Sequence, residues 1–433
     1  MRTIFQTLLS FGSFFLCAVA AIFLVNLLPN TVIEKNLLQT SEPINQSGHP
    51  LFVDTMMDWW TECELMTTGL YRPIDRSVSA DPVADRDGFT GIPEADPVSR
   101  AWHSTLLSPN IGNCKLLHEG GGGKYYYRYW MGGQVVTRPL LFVSGVNASR
   151  IFTATVFFAS IAAFLFFVER QAGTRLTYGI IALFAVTPFF SQLVILPHAS
   201  AWIIGFLGAS LLMKWGNLTP HGAVMLGLWS GMLVAFFDIL NNPIAAPMAL
   251  TFAYFVVCYA RSRQPSIRIL ILLNGAWLAG YAGFWASRWL LAAMAVGPDA
   301  VIANIGGKIG ERAGLAGSPD ITWRESLYYN GLAMMVPFVV FAGLTLREAV
   351  DHVRHGRRRP HPAVSDAFRL GFAVLPVAFG ALPFLWIVLL SNHSAIHHFF
   401  VSPVLVWSAL LWLFAIFAIT HPKALVPNDP SEG

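Results

Sequence analysis

Ten apolar runs, most of them of 17 residues or more, recur along this chain and leave it lipid as the solvent for most of its surface. Inside a bilayer no water satisfies the backbone, so each run must close its own hydrogen bonds as a helix. The first run, Ile4 to Leu28, follows Arg2 and is too long for the apolar core of a cleaved signal. It ends Leu-Val-Asn-Leu-Leu-Pro-Asn with no small-residue cleavage site, so it is expected to stay as an anchor. The others occupy 150–168, 176–191, 200–213, 221–238, 244–260, 268–296, 330–346, 370–391 and 404–420. The prediction is an all-α, polytopic transmembrane helical bundle of about ten spans with a large non-cytoplasmic first loop. Only 12% of residues are charged, against about 25% in an ordinary soluble domain, which excludes a soluble protein of this size. No repeat of 20–50 residues and no inverted pair of broken helices gives direct support to an inverted-repeat transporter.

The chain divides into a first transmembrane helix (1–28), a non-cytoplasmic loop or cap (29–138), the remaining bundle (139–420, with a second outer loop at 297–329) and a tail (421–433). Orientation follows from Lys and Arg. With the N-terminus in the cytoplasm, Arg170, Arg175, Lys214, Arg261, Arg263, Arg268, Arg347 and Arg354 all fall on the cytoplasmic side, and Lys423 in the tail agrees. The opposite turns near Pro197, Asn241 and His393 carry neither Lys nor Arg. The net charge of +4 is accounted for by topology, and no basic stripe with interleaved aromatics suggests nucleic acid.

The first outer segment, residues 30–138, is polar and rich in Pro and Gly, yet holds Trp59, Trp60, Trp102 and the aromatic run Tyr125 to Trp130, as a cap lying on the membrane surface would. The second holds Ile305-Gly-Gly-Lys-Ile-Gly-Glu-Arg-Ala-Gly-Leu-Ala-Gly, which lacks the strand-then-helix context of a nucleotide loop and reads as a mobile loop. Cys63 and Cys114 share the first outer segment and can pair in an oxidising compartment.

Early in that segment, Asp54, Asp58 and Glu62 recur every four residues, so a helix would put them on one face, with Glu64 elsewhere. Carboxylates beside Trp at a membrane surface can serve as a general base or bind a divalent cation such as Mg or Mn; the same spacing also suits a solvated acidic face. Just before the chain re-enters the bilayer come Arg128, Tyr129, Trp130 and Arg138. The aromatics suit an interfacial belt, and the two guanidinium forks sit where they can hold a phosphate. Asp238 closes the fifth run in Phe236-Phe-Asp-Ile-Leu-Asn-Asn-Pro243, where Asn241 or Asn242 either adds to a site or caps the next helix. Asn392, His393 and His397 lie between the last two runs. Without an HExxH-type acid, hydrogen bonding to a sugar hydroxyl or phosphate suits them better than a metal, and His198 can join them or satisfy local backbone. All these residues map to the non-cytoplasmic side under a topology drawn from Lys and Arg alone.

Four short motifs in order carry a resemblance. They are an acid pair, Asp58 with Glu62; Tyr126-Tyr127-Arg128-Tyr129-Trp130-Met131-Gly132 followed by Arg138-Pro139-Leu140-Leu141; Phe237-Asp238 followed by Pro243; and Asn392-His393-Ser394-Ala395-Ile396-His397-His398-Phe399-Phe400. The layout resembles the GT-C glycosyltransferase superfamily, and more narrowly a bacterial membrane-protein group with these motifs. Met131 stands where that group has His, Glu62 where Asp is usual, and Val401-Ser402-Pro403 replaces a basic residue after the Phe pair. The resemblance implies a sugar transferred from a polyprenyl-phosphate donor to an envelope glycan, lipid or protein outside the cytoplasm of a bacterial inner membrane. It implies Asp58 as base, or as a cation ligand with Glu62 and Asp54 nearby. Arg128 and Arg138 would hold the lipid phosphate with Tyr129 and Trp130 beside them, and Asp238, Asn242, Asn392, His393 and His397 would orient sugar and acceptor. A flippase of lipid-linked sugars and a non-catalytic subunit of an envelope-assembly complex are the competing expectations.

Overall fold

The computed structural model describes residues 2–46, 59–70, 96–111, 114–118, 124–188, 195–313, 322–356 and 366–421. The chain opens with α1 (Arg2–Asn26), then α2 (Asn30–Gln46), α3 (Trp59–Met66), α4 (Pro97–Leu107), α5 (Cys114–His118) and α6 (Gln134–Val143). The bundle follows: α7 (Val146–Ala172), α8 (Thr174–Val186), α9 (Leu196–Trp215), α10 (Pro220–Phe237), α11 (Ala245–Ala260) and α12 (Ile267–Val296). Next come α13 (Pro298–Arg312), α14 (Trp323–Ala333), α15 (Met335–Gly356), α16 (Asp366–Phe379) and α17 (Leu382–Leu389). The short helices α18 (Ser391–Ile396) and α19 (His398–Val401) lead through a 3-10 turn into α20 (Val406–Thr420). Strand pairing among the described residues is confined to Pro109–Asn110 against Lys124–Tyr125, antiparallel, with Pro109 opposite Tyr125.

The protein is therefore an all-α, polytopic helical membrane protein. Over the described residues each of the ten apolar runs is mostly helical. Among the described residues seven helices are long and apolar enough to cross a membrane, and eight if α14 and α15, bent by 67° at their junction, form one span. The other two runs are α8, with 13 residues, and α11, with 16. At 1.5 Å per residue α8 reaches only about 20 Å. α11 is short but enclosed, with nearly every side chain from Ala245 to Tyr259 buried against α9, α7 and α20.

α10 and α12 pack backbone against backbone. Gly227 and Gly231 on α10 meet the backbone of Leu273 and Trp277, and Gly280 on α12 meets the backbone of Leu228, so a methyl group at any of the three would strike main chain. Small residues four apart are how membrane helices bring their backbones together when lipid gives no hydrophobic drive. That contact fixes the C-terminal end of α10, and hence Asp238, beside the second half of α12.

One feature differs from the sequence reading. The segment read as a mobile loop is largely helical: Gly297 turns the chain at φ +88°, Pro298 opens α13, and Val301 and Ile305, four apart, bury against Ala292, Val296, Leu107 and Tyr125. After it, α14 starts with a capping box between Thr322 and Glu325. Part of the first outer segment forms a small core, in keeping with the reading of it as a cap. Ile33, Leu37, Cys63, Met66, Ile111, Cys114, Leu117 and Leu141 pack together there, and Cys63 and Cys114 form a disulfide with Cα atoms 5.5 Å apart.

Candidate functional site

The segment from Tyr125 to Trp130 is clamped onto α12. Trp130 is fully buried, stacked on Phe284 with ring centroids 4.7 Å apart, and its indole N–H donates to the Phe284 carbonyl at 2.7 Å. Arg288, also fully buried, donates to the carbonyls of Tyr129 (3.0 Å) and Thr105 (2.6 Å) and to Ser108 Oγ (2.9 Å). The Arg128 carbonyl takes the indole N–H groups of Trp285 (2.6 Å) and Trp289 (3.2 Å). With its backbone held this way, the segment presents the Tyr129 ring, stacked on Trp285, and the Arg128 guanidinium, which lies over the Tyr126 ring at 4.7 Å.

Opposite stands the turn after α10. The Asp238 carboxylate accepts from the backbone N–H of Asn241 (3.1 Å) and Asn242 (3.5 Å) through Oδ1, while Oδ2 is buried with no hydrogen-bond partner. Leu240, between them, has φ +74°, an uncommon value for a residue with a Cβ. Burial pushes the Asp238 carboxyl up to about 7, against the pull of the turn's amides and of Arg312. The turn is pinned from α18 and α19: His393 Nε2 donates to the Leu240 carbonyl (3.0 Å), and Asn242 Nδ2 to that of Phe400 (2.7 Å). The His393 and His397 rings lie 4.8 Å apart, and His397 stacks on Phe400 at the same distance. Burial, then the charge of Arg312, then His397 hold the His393 imidazole well below its ordinary range, so it is neutral.

Arg312, the last residue of α13, completes the cluster. Its guanidinium lies 5.6 Å from the centroid of the Tyr129 ring, and its charge reaches Asp238, His393, Tyr126 and Tyr281. One of its terminal nitrogens, Nη1, is buried without a hydrogen-bond partner. Asn392 holds the same helix end, donating from Nδ2 to the Glu311 carbonyl at 2.8 Å, while its own Oδ1 is buried and unpartnered. Across the cluster, burial and then the charge of Glu64 keep the Tyr126 phenol far above its usual range, so it remains a donor. The site thus gathers unsatisfied acceptors, Asp238 Oδ2 and Asn392 Oδ1, and an unsatisfied cationic donor, Arg312 Nη1. A ligand that is anionic at one point and rich in hydroxyls at another satisfies all of them.

Arg128, Tyr129, Asp238, Asn242, Asn392, His393 and His397 lie in or beside this cluster, although they derive from distant parts of the sequence. Three expectations need correction. Glu62 makes a two-point ion pair with Arg150, at 2.7 and 2.5 Å, so α3 uses it to dock on α7 rather than offering it to a substrate or cation. Arg138 is wholly buried and its donors go to the carbonyls of Val25 (3.0 Å), Thr68 (3.1 Å) and Leu28 (3.5 Å) and to Asn30 Oδ1 (2.7 Å). It closes the break between α1 and α2, and with four of its five N–H groups bonded to the protein and none of its surface exposed it is not open to a phosphate. Trp130 belongs to the core and is closed to a substrate. Asp54 and Asp58 lie outside the described residues.

The sequence reading missed Arg288 and Arg312. Arg288 carried a signal, a cation deep inside a 30-residue apolar helix whose other arginine, Arg268, lies in the first turn, which marks either function or a structural clamp. Arg312 carried none, being one charge among several in a glycine-rich stretch. Among the described residues no three of His, Cys, Asp and Glu gather to hold a metal ion.

No family model, no curated protein and no solved structure matches this chain.

Proposed function

We propose that the protein is an integral-membrane glycosyltransferase of the GT-C kind. It takes a sugar from a polyprenyl-phosphate donor and passes it to a glycan, lipid or protein acceptor of the cell envelope. The reaction belongs on the periplasmic face of a bacterial inner membrane, with both termini in the cytoplasm. The observation that carries this reading is the buried Nη1 of Arg312 without a hydrogen-bond partner, on a guanidinium that lies over the Tyr129 ring, in a cluster that also holds the half-satisfied carboxyl of Asp238. A phosphate leaving group needs a fixed cation, and an acceptor hydroxyl needs a base.

In the reaction the acceptor oxygen bonds to the anomeric carbon of the sugar, the bond from that carbon to the phosphate oxygen breaks, and the proton of the acceptor hydroxyl passes to a carboxylate. Asp238, whose carboxyl titrates near neutrality, is suited to take that proton. Arg312 and Arg128 receive the charge that develops on the departing polyprenyl phosphate; preorganised cations act most strongly where charge appears in the transition state. Asn392 and His393 hold, respectively, the end of α13 and the turn of Asp238. Two further facts support the orientation. The Cys63–Cys114 disulfide belongs to an oxidising compartment, and the end of the bundle opposite Asp238 collects Arg170, Arg175, Lys214, Arg261, Arg263 and Arg268.

A flippase would need polar groups through the middle of the bundle. Buried hydroxyls there, such as Thr153, Ser160, Ser210 and Ser230, bond instead to carbonyls of their own helices. Incubating the purified protein with a panel of radiolabelled polyprenyl-phosphate sugars and a membrane extract, with and without a chelator, tests the proposal. Label moving into an acceptor, and failing to move with Arg312→Met, is the expected result. No transfer from any donor in the panel, or transfer that ignores that substitution, would remove it.

A further inference from the structure

The break between α1 and α2 brings two guanidinium groups to one oxygen. The Leu28 carbonyl takes Nη2 of Arg138 at 3.5 Å and Nη2 of Arg100, from the first turn of α4, at 3.4 Å. Both side chains are buried, Arg138 wholly and Arg100 to all but 8% of its surface. Like charges that meet at one neutral oxygen repel, and burial removes the water that would screen them. Buried charges are ordinarily paired with an opposite one.

Here no carboxylate among the described residues pairs with either arginine. Asp96, four residues before Arg100, is exposed and caps α4, accepting from the backbone N–H of Val98 (3.0 Å) and Ser99 (3.2 Å) and from the Ser99 hydroxyl. Glu62 is taken by Arg150. The charge that reaches Arg138 is that of Arg100. The two arginines also differ in how far they are satisfied. Arg138 donates to Val25, Thr68 and Asn30 as well as to Leu28. Arg100 has the one long contact to Leu28, and its Nε is buried with no hydrogen-bond partner. Nε and Nη2 form an edge on which a guanidinium takes two oxygens of an anion. On Arg100 that edge is nearly empty, and releasing Leu28 costs little because Arg138 still covers the same carbonyl.

The position of the pair along the first span points to the kind of anion. Leu28 lies two residues beyond Asn26, where that span ends. Trp102, on the same helix as Arg100, is half-exposed and packs on Phe23 in the last turn of α1, with ring centroids 4.8 Å apart. Indoles in such places sit at the depth of the lipid headgroups, the layer that holds the phosphates.

We propose that the Nε–Nη2 edge of Arg100 binds a phosphate group at the membrane surface, with Arg138 behind it adding charge without touching the ligand. The phosphate neutralises the pair and fastens α4 to the end of α1. None of these residues belongs to the Arg312–Asp238 cluster, so failure of this site would leave the transfer reading untouched.

The test uses the full-length protein purified in mild detergent, with native mass spectrometry to count retained ligand and thermal unfolding beside it. The probes are phosphatidylglycerol, diacylglycerol with the same chains, and inorganic phosphate. One phosphate-bearing probe should be retained per chain, and diacylglycerol should bind about tenfold more weakly or less, in keeping with the loss of a charge-assisted hydrogen bond. Retention of phosphatidylglycerol that inorganic phosphate does not displace identifies a lipid headgroup as the source; displacement identifies free phosphate. Arg100→Gln should weaken retention about tenfold, and Arg312→Met should leave it unchanged. Without ligand, Arg100→Gln should unfold at or above the wild-type temperature, because one of two like charges is gone. Diacylglycerol bound as tightly as phosphatidylglycerol, retention indifferent to Arg100→Gln, or retention lost with Arg312→Met instead would each overturn the proposal. So would a clear drop in the ligand-free unfolding temperature of Arg100→Gln, which would make Arg100 a clamp on the Leu28 carbonyl.

Discussion

Two sets of buried charges share one end of this bundle and are used in opposite ways. Arg138, Arg288 and Glu62 hold the first outer segment onto α1, α7 and α12, and their polar atoms meet carbonyls, Asn30, Ser108 or Arg150. Arg312, Asp238 and Asn392 lie in the same layer, yet each keeps one polar atom buried without a partner. A protein tolerates an unsatisfied buried group, at about 1–3 kcal/mol each, where something else is meant to satisfy it. The first set is architecture and the second is the set that the proposed transfer would use. Burial alone does not distinguish them; the state of their hydrogen bonds does.

The largest expected contrast lies between arginines. Arg138→Met and Arg288→Met each strand several buried acceptors at about 1–3 kcal/mol apiece, a large fraction of a typical stability of about 5–15 kcal/mol. Both variants should give little folded protein in detergent, whereas Arg312→Met should unfold at or above the wild-type temperature. Thermal unfolding of the three side by side checks this, and equal losses would erase the distinction between the two sets. Next in size, Asp238→Asn should lower sugar transfer about 10²–10⁴-fold, the usual contribution of a placed proton acceptor, with the fold intact. An unaltered rate would return the search for the base to Asp54 and Asp58.

Reducing the Cys63–Cys114 bond, which closes a separation of 51 residues, should cost about 4 kcal/mol by the loop-entropy relation. The loss should appear as early opening of the first outer segment in hydrogen exchange, ahead of α9 and α11. Glu62→Gln should do less. Its partner Arg150 is one-fifth exposed, so the effect falls between about 0.2–1 kcal/mol for surface pairs and about 3–5 kcal/mol for buried ones.

The pH response sharpens the comparison further. Asp238 ionises near 3.8 in the unfolded chain and only near about 7 in the folded one, because burial disfavours its charge. Between those values the unfolded chain binds fewer protons, so this group's contribution to stability falls as pH rises through that window. Transfer that uses Asp238 as base rises over the same window. Asp238→Asn should flatten both slopes, and a stability slope that survives the substitution would assign it to another group.

How far the sequence reading reached depends on the residue. Asp238, Asn392 and His393 were legible because a polar group at the edge of an apolar run is costly and must have a use. Glu62 and Glu64 were legible as lying on different faces of one helix, but not in their roles: Glu62 met Arg150, and it is the charge of Glu64 that reaches Tyr126 and Tyr129. Arg138 read as a phosphate ligand because its residue type and depth fit, and neither discloses that the broken end of α1 would present carbonyls to it. α13 read as a mobile loop because its glycines outweighed the Val301 and Ile305 pair, whose burial partners are distant in sequence.

The run of apolar segments, the bias of Lys and Arg toward one end, and the cysteine pair in one polar stretch are properties that sequence alone determines, since each follows from the cost of putting a given residue type in lipid or water. Which guanidinium is filled and which is left open was decided only by tertiary structure. A hydrogen bond depends on what the folded chain brings within about 3 Å, and no spacing along the sequence records that distance.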